Sequence, residues 1–201
     1  HSQQHHEIPS VTVDVTQAIA KVALAPSAGA AAVVSVWDAS KLRQLQRALP
    51  NSMYFMRAID ELGSMSRTAQ GLSQVLTSVE RLAANPNQRL YMVTADRLCL
   101  GILKVGPKKL FVRGAAGQLY EIDPLCVLDF FVHESHQRHG FGRLLFDTMM
   151  RCEQATPERI AYDRPSPKLL GFLRKHFGLA EFVPQANNFV VFSQYFQSSH
   201  A

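Results

Sequence analysis

The spacing of apolar residues changes along the chain and divides it into a helical first part and a strand-rich middle. Val33-Val34-Ser35-Val36-Trp37 predicts a strand. Asp38 or Ser40 then caps a short helix through Leu49, which Pro50 stops. Tyr54, Met56, Ile59 and Leu62 lie close to helical spacing and predict a helix from Met53 to Met65, with Gly63 near its end. Val75, Leu76, Val79 and Leu82 share a face of a second helix over Ser73–Ala84, ended by Asn85-Pro86-Asn87.

The period then shortens. Arg89–Thr94, Leu98–Val105, Lys109–Arg113, Gln118–Ile122 and Leu125–Val132 are β-rich runs between turn residues and predict an antiparallel meander. Gly140–Glu153 returns to helical spacing, with Phe141, Leu144, Leu145, Met149 and Cys152 inward. Ile160–Asp163 is a brief strand. Ser166 caps a helix with Pro167 in its first position and Gly178 just past its end, and Phe189–Phe192 closes as a strand. Antiparallel strands leading into a strand-helix-strand-helix-strand unit give an α+β class, one mixed central sheet flanked by helices. Residues 33–196 are expected to form the domain, after a weakly structured extension (1–32) and before a short tail (197–201). In the extension, Val11–Val15 alternates like a strand and the Ala-rich stretch after Pro26 has no period.

Composition narrows the class. The chain has 201 residues, 47% hydrophobic and 18% charged, which suits one globular domain. The net charge of +5 fits a polyanionic ligand or an acidic protein surface, and equally ordinary solubility. Cys99, Cys126 and Cys152 form neither a disulfide framework nor a zinc pattern, so reduced thiols in a cytoplasmic setting and no metal are expected. The longest apolar run, Ala28–Trp37, is too short to span a bilayer. The His-rich start (His1, His5, His6) is set aside as tag-like.

The chemistry concentrates after Leu125–Val132, where Gln137-Arg138-His139-Gly140-Phe141-Gly142 leads into a helix. Small residues let a ligand approach the backbone, and successive N–H groups at a helix start bind an anion. Arg138 and Arg143 add positive charge at the same end. A pyrophosphate fits this turn. A Rossmann dinucleotide site does not, because the spacing is wrong and no acidic residue follows at the required distance.

The turn resembles the Gln/Arg-x-x-Gly-x-Gly/Ala signature of the GNAT acetyltransferase superfamily, which implies acetyl-CoA as cosubstrate. By that resemblance Phe130, Phe131 and Val132 line the pantetheine, beside Gln137, Arg138, His139, Gly140, Phe141, Gly142 and Arg143 around the pyrophosphate. Further blocks resemble the α-tubulin N-acetyltransferase family more narrowly: Ile59–Gly63, Lys104–Gly106 with Lys108–Val112, Pro124–Phe130, His133–Ser135, Asp163–Ser166 and Val183–Gln185 with Asn187–Val190. The resemblance covers roughly residues 33–196 and implies acetylation of a lysine ε-amine on α-tubulin in microtubules, by direct attack in a ternary complex.

The implied catalytic residues are Gln70, Asp163 and Cys126. About one lysine amine in a thousand is free at neutral pH, so a carboxylate that takes the proton and a group that positions the amine are both required. Asp163 suits the first task, with an ion pair to Arg164 or a helix cap as its alternative. Gln70 is singled out by the resemblance alone. Cys126 is a thiol nucleophile or a small core residue, and strand alternation sets it on the opposite face from Asp129 unless a bulge intervenes. Asp129 and Arg164 are assigned to the substrate; Ser166, Lys168, Leu169, Phe172 and Lys175 on the second helix are assigned to coenzyme A. Lys108, Lys109 and Arg113 form a basic edge that steers an acidic substrate or is merely a solvated hairpin. The expected setting is a cytoplasmic monomer on microtubules, of a flagellum or cilium among others, with no nucleic-acid or membrane partner. The competing classes are a GNAT for another lysine or a small amine, and a microtubule-binding protein with weak catalysis.

Overall fold

The computed structural model describes residues 32–95, 98–133 and 140–197. Strand β1 (Val33–Trp37) leads into helix α1 (Ala39–Ala48), capped by the Asp38 carboxylate, which accepts from the Lys41 N–H at 2.8 Å. Helix α2 (Met53–Gln70) runs on past the expected Met65 and ends at Gly71 in the left-handed conformation, φ 66°. Gly63 does not terminate it. A Cβ there would come 1.8 Å from the Thr77 carbonyl oxygen, so Gly63 serves close packing.

The helix expected over Ser73–Ala84 is corrected. Helix α3 covers only Val79–Ala84, capped by Ser78, whose side chain accepts from the Arg81 N–H at 3.0 Å. Thr77 is fully buried and its hydroxyl donates to Asp129 Oδ2 at 2.7 Å. This tertiary bond, with the Ser78 cap, keeps the preceding residues out of the helix.

Strands β2 (Arg89–Ala95), β3 (Leu98–Pro107), β4 (Leu110–Arg113), β5 (Leu119–Ile122) and β6 (Leu125–Val132) follow the predicted runs closely. Their pairing does not follow a simple meander. The six-stranded sheet is ordered β1-β2-β3-β6-β7-β8, with β7 (Ala161–Asp163) and β8 (Phe189–Val190), while β4 and β5 form a separate two-stranded ribbon. The nearly continuous apolar runs of β3 and β6 bury against each other, and the half-exposed hairpin is set aside. Among the described strands only β6–β7 is parallel, so the central sheet is mixed as expected.

Helix α4 (Phe141–Glu153) buries Leu145, Phe146 and Met149, with Phe141 and Leu144 half-buried. Cys152, expected inward, is exposed; Phe146 takes an inward place, stacked 6.5 Å from Tyr162. Glu153 ties the helix end to the sheet by accepting from Arg89 Nε at 2.9 Å and from the Tyr91 hydroxyl. Helix α5 (Pro167–Phe177) has the predicted Ser166 cap, 3.1 Å from the Leu169 N–H, and the predicted left-handed Gly178. The last strand is shorter than expected, and Phe192 instead forms an isolated bridge with Phe182.

Candidate active site

Strand β6 carries a bulge. Lys104 of β3 pairs with Asp129 while Val105 pairs with Val127, so Leu128 is passed over. The extra residue reverses the alternation and brings Cys126 and Asp129 to the same face. The parallel register sets Cys126 beside Ala161, which carries Asp163, two residues on, to that face too. Lys104, Cys126, Asp129 and Asp163 therefore share the side of the sheet covered by α2.

Helix α2 meets them through Ser66 and Gln70, one turn apart. Gln70 Nε2 donates to Ser66 Oγ at 2.8 Å and to Asp129 Oδ1 at 3.1 Å, and Ser66 Oγ donates to Asp129 Oδ1 at 2.7 Å. Asp129 is 4% exposed and so is Lys104. Burial lowers the Lys104 ammonium to about 8, against the pull of Asp129 and Asp163, and its Nζ donates to the Leu76 carbonyl. Ser66, Thr77 and Lys104 escape sequence reasoning. Only Lys104, a cation inside the apolar run of β3, leaves a visible signal.

Burial raises the Asp163 carboxyl above its ordinary value, while Lys108, Arg164 and Lys104 pull it down. A half-buried carboxylate held basic is suited to accept a proton. The next residue, Arg164, is exposed and left-handed (φ 43°), and its N–H donates to the Asn188 carbonyl at 3.1 Å. Cys126 sits apart in a small apolar cluster with Leu110, Val112 and Leu128, fully buried. Burial pushes its thiol up to about 12, so it stays protonated near neutral pH.

The other sheet face holds Phe130 and Val132 against α4. A Cβ on Gly142 would come 3.3 Å from Phe130 Cζ and 3.8 Å from Val132 Cγ2. Phe131 points to the opposite face and is 8% exposed. Phe172 of α5 joins this group, its ring 5.8 Å from Phe130. Gly140, left-handed at φ 82°, starts α4 with no side-chain cap. Gln137, Arg138 and His139 lie outside the described residues. The Arg143 guanidinium turns along its helix to Asp147 at 2.9 Å and lies 4.9 Å from the centre of the Phe177 ring.

In α5, Lys168 is exposed in the first turn, Ser166 is engaged as the cap, and Leu169 packs into the core at 5% exposure. Lys175 lies in the last turn, and its charge reaches His176 together with that of Arg143. The second helix thus offers its assigned cations at opposite ends.

Among the described residues, strand β7 pairs with only Cys126 and Val127 of β6. The far end of β6 leads toward a glycine-lined helix start that has no side-chain cap from Gly140, a fit for a long ligand ending in a pyrophosphate, the shape of acetyl-CoA. Among the described residues no group of three or more His, Cys, Asp or Glu side chains is placed to hold a metal ion.

The likeness to known proteins agrees with this geometry. The chain is 54% identical over 142 residues to an alpha-tubulin N-acetyltransferase of Tetrahymena thermophila, covering 71% of this chain and 35% of that protein. It is 49% identical over 180 residues to alpha-tubulin N-acetyltransferase 2 of Trypanosoma cruzi, covering 88% and 55%. It is 56% identical over 142 residues to the alpha-tubulin N-acetyltransferase of Leishmania major, covering 70% and 58%. The chain thus spans between about a third and three fifths of the length of these relatives. Among solved structures, an aminoglycoside acetyltransferase from a soil metagenomic sample gives a TM-score of 0.49 at 12% identity over 77% of this chain and 93% of that one, too loose a likeness to bear on function. A model described as "GNAT acetyltransferase, Mec-17" matches residues 27–201, and with it the chain belongs to the Mec-17 family of GNAT acetyltransferases.

Proposed function

We propose that the chain transfers the acetyl group of acetyl-CoA to a lysine ε-amine of α-tubulin in microtubules. What supports this reading is that Gln70, bonded to Asp129, and Asp163 lie over one face of the sheet, near the strand that leads to the start of α4, in a chain so similar to proteins named alpha-tubulin N-acetyltransferases. The acetyltransferase unit is residues 33–196, working as a monomer in the cytoplasm on microtubules, those of a flagellum or cilium included, with neither nucleic acid nor a membrane as partner.

When bound, acetyl-CoA supplies an electrophilic thioester. Phe130, Val132, Gly140, Phe141, Gly142 and Phe172 hold it, together with Gln137, Arg138 and His139 of the turn and the backbone of Phe131. Arg143 belongs to α4, and Ser166, Lys168, Leu169 and Lys175 to α5, the two helices that flank it. Gln70 holds the substrate lysine. Asp163 accepts the amine's proton, directly or through water, so the free amine attacks. Arg164, exposed beside it, meets the substrate protein. The buried, protonated thiol of Cys126 favours direct attack over an acetyl-cysteine route.

The hairpin β4–β5 supports a protein substrate. Phe111 is 57% exposed and Leu119 62%, with Arg113 alongside and Lys109 paired to Glu121 at 2.9 Å, a largely apolar surface with a basic edge that suits a protein partner. Release of the coenzyme A thiol tests the proposal: it is expected when chain, acetyl-CoA and assembled microtubules are mixed. No release above the microtubule-free rate contradicts it.

A further inference from the structure

The Gln70 amide nitrogen donates toward Ser66 Oγ at 2.8 Å and toward Asp129 Oδ1 at 3.1 Å, two acceptors that are themselves bonded to each other. Ser66 gives its only proton to Asp129 Oδ1 at 2.7 Å, and Thr77 gives its own to Oδ2 at 2.7 Å. A carboxylate accepts and does not donate. One orientation of the Gln70 amide therefore matches every donor with an acceptor. Turned over, its Oε1 would face a carboxylate oxygen and a hydroxyl whose proton is already committed. The first orientation turns the Gln70 carbonyl oxygen away from the pair.

Asp129 itself is 4% exposed, held by Ser66 and Gln70 of α2 and by Thr77 before α3. Its charge is matched by Lys104, its register partner on β3. Three donors on a carboxylate that is 4% exposed leave a substrate little access to it. We propose that Asp129 is a positioning residue: with Ser66 and Thr77 it fixes the amide nitrogen of Gln70, so that Gln70 turns its carbonyl oxygen, a hydrogen-bond acceptor, to the incoming amine. The site then selects a group that donates, an ammonium or a primary amine. In this account Asp129 does not touch the acceptor. The proposal rests on the reading of Gln70 as part of the acceptor site.

The test is a double-mutant cycle on acetyl transfer to assembled microtubules, with Asp129→Asn, Gln70→Ala and both together. Asp129→Asn is expected to lower kcat about tenfold or more, the scale of a lost charge-assisted hydrogen bond, with the KM for acetyl-CoA unchanged. In the Gln70→Ala background it is expected to do nothing further. An equal fold-loss in both backgrounds would overturn the proposal. Full activity of Gln70→Ala would instead remove the acceptor-site reading of Gln70. Ser66→Ala, which keeps the buried carboxylate, is expected to act in the same direction, and a wild-type rate in it counts against the proposal. A second readout needs no acceptor at all. In 15N NMR the Gln70 Nε2 proton that faces Asp129, assigned by its loss in Gln70→Ala, is expected to exchange slowly with solvent, and quickly in Ser66→Ala. Fast exchange in the parent protein would also overturn the proposal.

Discussion

Gly63 lies directly beneath Thr77, so close that a Cβ would meet the Thr77 carbonyl oxygen at 1.8 Å and its carbon at 2.9 Å. The glycine in the middle of α2 is what lets the segment before α3 approach, and Thr77 is one of the residues that holds Asp129. Backbone has no rotamer with which to escape. Gly63→Ala is therefore expected to destabilise the protein by roughly 1–3 kcal/mol, the usual scale of an overpacked site, although alanine is the better helix former. It should also lower kcat by displacing Thr77. Denaturant titration and steady-state kinetics check both, and a protein as stable and active as the parent would refute the packing role.

Asp163 carries opposite predictions for stability and activity. Burial raises its carboxyl above the ordinary 3.8, so the ionised form is disfavoured in the fold. Between 3.8 and the raised value the native state binds more protons than the unfolded chain, so this group's contribution to stability grows as pH falls through that window. At neutral pH the ionised group is a net cost. Asp163→Asn is expected to raise the melting temperature at neutral pH and to lower turnover, with coenzyme A affinity nearly intact. In the parent enzyme, kcat/KM should fall in acid through an apparent value above 3.8. Unchanged turnover in the variant would leave Asp163 a structural residue.

Cys126 is expected to be dispensable for the chemistry. Its thiol is fully buried and stays protonated. Cys126→Ala should cost about 1 kcal/mol of stability, near the value of one buried methylene-sized group. Its kcat should stay within about tenfold of the parent, far above the residual rate left by loss of a covalent nucleophile. Intersecting initial-velocity patterns are expected for acetyl-CoA and microtubules; parallel lines, with an acetyl group trapped on the thiol, would restore the covalent route.

The tie between α4 and the sheet is structural. Glu153 accepts from Arg89 and from Tyr91, with 10% of its side chain exposed. Glu153→Ala leaves the Tyr91 hydroxyl and the Arg89 Nε and Nη2 without their acceptor, Nη1 keeping the Asn87 carbonyl at 3.0 Å, and is expected to cost roughly 2 kcal/mol or more. Tm should fall while kcat at low temperature stays close to that of the parent. A selective loss of kcat would place this cluster in the active site instead.

The elements with local punctuation were legible in the sequence. Asp38, Ser166-Pro167 and Gly178 act through their own backbone neighbours, so the bounds of α1 and α5 could be read from residue type. The runs of β1 and β6 were equally plain, because both are apolar but for Ser35 and Asp129. What failed was set at long range. The spacing of Val75, Leu76, Val79 and Leu82 imitates a helix, yet a hydroxyl–carboxylate bond between Thr77 and Asp129 decides that segment. The pairing of β3 with β6 past the β4–β5 ribbon is likewise invisible to local pattern. At the site, Asp163 and the glycines of the turn had a chemical signature of their own. Ser66 and Thr77 had none, because their role exists only once the bulge at Leu128 turns Asp129 toward α2.

The central claim is acetyl transfer to a tubulin lysine, and mass spectrometry of α-tubulin tests it most directly. After incubation of the chain with acetyl-CoA and assembled microtubules, the account predicts a new acetyl-lysine on α-tubulin, lost in Asp163→Asn and Gln70→Ala. Unmodified α-tubulin, with acetylation of free polyamines in its place, would contradict it.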